Sequence, residues 1–200
     1  MISIRSISVV AATAALLVGP VTGASAASTA PKAPVKGGVT TVRTAPGLAT
    51  TLLKNNLFAY GVSPGRTGVA ANTGIALTFS LPVTGGKASV SPLGGTVKHS
   101  GSIAFVNFAL GKRIKVGNFT IDLTKGRLTG IVNGDPKARV PLFDLDLSKA
   151  KLKVTRHRVT ASHVGLRLTA TAAGALNTTL CTKVFTAGLL LGSATTQLKI

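Results

Sequence analysis

The chain has 200 residues, of which 23 are Lys or Arg and 4 are Asp, with no Glu, giving a net charge of +19. A single Cys excludes an internal disulfide framework, and four carboxylates leave little material for acid–base catalysis. One Tyr and no Trp supply a poor stacking platform, so nucleic acid is not the expected partner. A surface this basic is suited instead to anionic cell-wall polymers, acidic head groups or a small anionic ligand.

Residues 1–26 are expected to be a cleavable secretory signal peptide. Arg5 gives a positive start, Ile7 to Val18 is a nearly unbroken run of small and apolar residues, and Gly19-Pro20 breaks it. Ala24-Ser25-Ala26 then offers the small-x-small pattern that the signal peptidase pocket admits. The run is shorter than the roughly 20 residues needed to cross a bilayer, so no transmembrane anchor is expected. No Cys follows it to carry a lipid, and Arg5 is its only charge, which leaves +18 on the remainder. The expectation is a secreted protein, free or held non-covalently at the cell surface, with its oligomeric state open.

Residues 27–44, rich in Ala, Thr, Pro, Lys and Gly, read as a flexible linker, and 45–200 as a single β-rich domain. A helix is predicted from Pro46 to Ala59, with Leu48, Leu52, Leu53 and Phe58 on one face and Gly61 placed to end it. From Thr73 to Ser148 the apolar residues recur every second position. Ile75, Leu77, Phe79 and Leu81 alternate with small or polar residues; so do Phe119, Ile121 and Leu123, then Phe143, Leu145 and Leu147, then Ala150, Leu152 and Val154. Turn signals punctuate the runs at Thr84-Gly85-Gly86, Pro92 to Gly95, Gly111-Lys112, Lys125-Gly126 and Asn133 to Pro136. Val159 and Ala161 fall out of phase with Val164, Leu166 and Leu168, which predicts a bulge between Ser162 and Gly165. A second short helix is predicted near 171–180 and a closing strand from Leu189 to Ile200. The fold class is mainly β, an antiparallel β-sandwich or barrel-like sheet with one or two short helices.

No nucleophile elbow, phosphate loop or dinucleotide fingerprint occurs, and the reading is of a protein that is not an enzyme. Asp144 and Asp146 share one side of a strand about 7 Å apart. Lysines 149, 151 and 153 of the next strand are expected to neutralise them across a hairpin. His99, His157 and His163 lack metal-ligand spacing, so no metal site is expected. Cys181 lies in an apolar stretch and reads as a buried, inert thiol.

The order of certain segments resembles secreted actinobacterial proteins related to the HtaA domain of haem-uptake proteins. They are His99-Ser100-Gly101-Ser102-Ile103-Ala104-Phe105, Asn118-Phe119-Thr120-Ile121-Asp122, Gly126-Arg127-Leu128-Thr129-Gly130 and Val140-Pro141-Leu142-Phe143-Asp144-Leu145-Asp146. Leu166 to Thr169 and Ala175-Leu176-Asn177 continue the pattern, which covers about residues 40–200. The resemblance implies a cell-envelope binding module for haem or another small anionic ligand. It assigns the iron to a tyrosine, here Tyr60, with His99 as the supporting histidine. The alternative is a structural or adhesive surface protein that holds anionic cell-wall polymers by charge alone, with a grip that weakens in salt.

Overall fold

The computed structural model describes residues 32–71, 74–91 and 93–200. Residues 1–26, expected to be a signal peptide, and residues 27–31 of the expected linker lie outside the described residues.

Among the described residues, thirteen strands and two helices follow in chain order. The first half holds β1 (Ala33–Pro34), β2 (Gly37–Thr44), α1 (Leu48–Lys54), β3 (Leu57–Val62), β4 (Arg66–Ala70), β5 (Ala76–Val90), β6 (Leu93–His99) and β7 (Ser102–Asn107). The second holds β8 (Lys112–Asp122), β9 (Arg127–Val132), β10 (Arg139–Asp146), β11 (Lys151–Thr155), β12 (Arg158–Leu168), α2 (Ala170–Leu180) and β13 (Leu190–Lys199). Every pairing is antiparallel, and eight strands close on themselves in the order β5, β2, β13, β12, β10, β9, β8, β6 and back to β5. Closure pairs each of the eight ring strands on both sides, leaving free edges only on strands outside the ring, and eight strands leave an interior wide enough for side chains or one small ligand.

Several sequence expectations are corrected. Residues 37–44 are not a linker: they form β2, hydrogen-bonded to β5 on one side and β13 on the other. The β-branched run Val39-Thr40-Thr41-Val42 outweighs the flanking glycines. The first helix stops at Lys54, and Phe58 and Ala59 belong to β3, where Leu57 and Ala59 bury one face. Thr84-Gly85-Gly86 does not turn. The chain runs through it as one 15-residue strand with a bulge between Val83 and Gly85. Gly86 sits so close to β6 that a Cβ there would collide with the Thr96 carbonyl, so the glycine is a close-approach residue. The predicted bulge in β12 is present as a register shift between Ala161 and Val164, with His163 at a φ of 59°.

The barrel has two unlike ends. β12 leads into α2, capped by the Thr169 side chain accepting from the Ala172 N–H, and α2 lays Ala172, Ala173, Leu176 and Leu180 over that end of the interior. Phe105 and Phe185 meet there edge to face with centroids 6.0 Å apart. Asn177 ties the following loop down: its amide donates to the Phe185 carbonyl and accepts from the Phe185 N–H. At the other end no helix among the described residues covers the strands. β10 leaves β12 after the pair Asp146–Gly165, and β11 takes its place from Lys151–Ser162 onward, paired to β12 alone.

Candidate ligand-binding site

Strand alternation aims one set of side chains inward from every strand of the ring. Near the helix end these residues, Ile114, Val116, Leu142 and Leu168 among them, pack against one another and α2. Toward the other end they stop short of meeting, leaving a chamber of about 400 Å³. Its walls are aliphatic and aromatic: Leu81, Val97, Phe119, Ile121, Leu128 and Leu166 lie deep, with Val159, Ala161, Ala194 and Leu198 around them. A sealed, empty void of that size would cost on the order of 10 kcal/mol, as much as the whole stability of a typical domain. The chamber is instead open at the end opposite α2. Val90, Leu93 and Leu147, each 38% exposed, stand at the mouth with Leu152 at 47% and Val154 at 50%. All five also line the chamber, so the apolar wall continues out onto the surface.

Thr40, Ser89, His99, Lys151 and Thr196 are the polar residues of the wall, and three of them are linked. His99, on β6, and Thr40, on β2, lie on either side of β5 and bond inside the barrel through Nε2 and Oγ1 at 2.7 Å. Thr196, the register partner of Thr40 on β13, continues the chain with an Oγ1–Oγ1 distance of 2.9 Å. All three are buried. Burial holds the His99 pKa down to about 4, and a weaker interaction with the Phe119 backbone opposes this. Among the described residues, His99 Nδ1 has no hydrogen-bond partner. At neutral pH the ring is therefore uncharged, and the chamber presents a neutral, almost wholly apolar interior.

The expected site residues do not converge. His99 lines the chamber; Tyr60 does not. Tyr60 lies on β3, outside the closed ring, on the face opposite Leu57 and Ala59, half-buried beside its register partner Ala104. Asp144 and Asp146 are not neutralised by the lysines of β11, because β10 and β11 are not hydrogen-bonded to each other. Asp144 pairs with Arg127 at 2.9 Å and Asp146 with Arg167 at 2.8 Å. The Ser148 hydroxyl and N–H, with Arg167, hold Asp146 down to about 2. Cys181 is exposed rather than buried, in a left-handed conformation at the end of α2. His157 and His163 are exposed as well. Among the described residues, no group of three His, Cys or Asp is placed to hold a metal ion.

Thr40 and Thr196 were not singled out by sequence reasoning. The parity of Ala194, Thr196 and Leu198 in the last strand was the available signal, since it puts Thr196 on the same face as two core residues.

This architecture is an antiparallel eight-stranded barrel with one sealed end and one apolar chamber. The fold is shared with the C-terminal domain of HtaA from Corynebacterium glutamicum, at a TM-score of 0.56 and 15% sequence identity, over 82% of this chain and 98% of that one. A domain-swapped dimer of a variant of the same domain matches at a TM-score of 0.49 and 16% identity, over 76% and 86% of the two chains. No family model matches the chain, and no curated protein matches it in sequence. The resemblance read from the sequence is thus borne out at the level of fold.

Proposed function

We propose that the protein is a non-enzymatic binding module of the cell envelope, acting outside the cytoplasm, that houses an apolar ligand or the apolar part of an amphipathic one in the barrel chamber. The observation that carries this reading is the chamber itself: about 400 Å³, lined mostly by apolar side chains, and open at the end opposite α2. Small-ligand sites span roughly 300–1,000 Å³ and are mostly apolar with a few polar groups. A charged head group would not be solvated beside a neutral His99, so an anionic ligand sits with its charge at the mouth, near Lys151. The signal-peptide pattern supports action outside the cytoplasm. No helix among the described residues is long and apolar enough to cross a membrane.

Titration with the polarity-sensitive probe N-phenyl-1-naphthylamine tests the reading. Saturable one-to-one binding is expected, lost in Ala161→Trp, which fills the chamber, and reduced in Leu152→Trp at its mouth. Hemin is the second arm, since the family resemblance implies it. A visible hemin band lost in Tyr60→Ala would put the ligand on the β3 face and overturn the chamber reading.

A further inference from the structure

We infer that the open end of the barrel is a docking face for an anionic lipid bilayer, against which the chamber loads or unloads its ligand. The inference builds on the chamber reading for its purpose, but its geometry stands separately. Five large aliphatic side chains are 38–50% exposed around one opening, and isolated exposed hydrophobics do not gather this way without a partner. They come from two directions. Val90 and Leu93 sit at the tip of the β5–β6 hairpin, and Leu147, Leu152 and Val154 on the opposite wall.

The charge around this opening fits a bilayer surface. Lys151 and Lys153 alternate with Leu152 and Val154 along β11, with Lys149 just before it, and all three lysines are exposed. The nearby acids offset them only in part, since two of the three are already paired with arginines. Asp144 and Asp146 are paired with Arg127 and Arg167, and Asp122 accepts from the Thr124 and Lys125 N–H groups of its own turn. Apolar residues that insert shallowly, interleaved with lysines that meet lipid phosphates, make an interfacial anchor. A protein strand added to the free edge of β11 is the less favoured partner, because lysines at alternate positions are what natural edges use to prevent such pairing.

Co-sedimentation with vesicles tests the inference, using pure phosphatidylcholine against equal parts phosphatidylcholine and phosphatidylglycerol. Binding is expected only with phosphatidylglycerol. Lys149→Glu/Lys153→Glu should weaken it by about tenfold or more. Lys112→Glu/Arg113→Glu makes the same charge change at the helix end of β8 and should weaken it by less than about threefold. Leu152→Ser/Val154→Ser, which leaves the charge unchanged, should weaken it by at least about fivefold. Equal losses from the two charge pairs would overturn the docking face and leave only general attraction to anionic envelope polymers. Undiminished binding by the serine pair would overturn it too. Neither Lys149 nor Lys153 lines the chamber, so that variant keeps its probe binding in solution. If the unaltered protein docks as expected but binds no probe, the chamber reading fails and the docking face stands.

Discussion

At the helix end, the interior of the barrel is packed as a domain core. Leu168 and Leu180 are fully buried, Phe105 and Phe185 meet edge to face, and α2 covers the gap the strands leave. The open end is built from the same kinds of residue on the same strands, yet its side chains face a space instead of one another, and those at the rim remain in contact with solvent. Aliphatic residues that give up contacts in this way lose stabilisation that the packed end retains. The comparison teaches that close packing and open space are divided along the barrel axis. One end holds the fold, and the other is available to a ligand.

Mutation should expose that division most sharply at its packed side. Leu168→Ala is expected to cost about 3–4 kcal/mol in urea unfolding, whereas Leu152→Ala should cost less than about 1 kcal/mol because half of that side chain is already exposed. Equal costs would break the comparison. Acidification should give the next largest effect. The unfolded chain protonates His99 near its ordinary value of 6.5, while the folded chain resists until about 4. Unfolding therefore takes up a proton between those values, and stability falls as pH drops through that window, by on the order of 3 kcal/mol in full. Unfolding curves of His99→Gln should lack this slope. Thr40→Val removes the hydroxyl that joins His99 to Thr196 and is expected to cost about 1–2 kcal/mol at neutral pH. The smallest effect belongs to the half-exposed pair Arg127–Asp144, where Asp144→Asn should shift stability by no more than about 0.5 kcal/mol.

Much of the fold was legible because half-buried strands write their faces into the sequence. The alternation in 77–81, 119–123 and 143–147 gave the inward residues, although Ile75 at the start of the first run is exposed, and the phase slip at Ser162 to Gly165 gave the bulge. β2 was obscured because its composition is that of a linker; its burial comes from β5 and β13, which lie far away in sequence. Barrel closure was equally hidden, since a sandwich and a barrel use the same alternation and differ only in whether β6 finds both β5 and β8. Of the candidate site, His99 was legible as a residue but not in its setting. Its partner Thr40 is 59 positions away, and nothing local marks the pair. Tyr60 attracted attention as the sole tyrosine, but strand pairing carries it to β7 and away from the chamber.

The most direct test of the chamber is a methyl-resolved NMR titration with a saturated fatty acid. The methyl signals of Leu128, Val159, Val164, Leu166 and Leu198 should shift together and saturate at one equivalent, while those of Ile114, Leu142 and Leu168 stay in place. Shifts centred on the helix end, on β3 around Tyr60, or scattered over the surface without saturation would contradict the account.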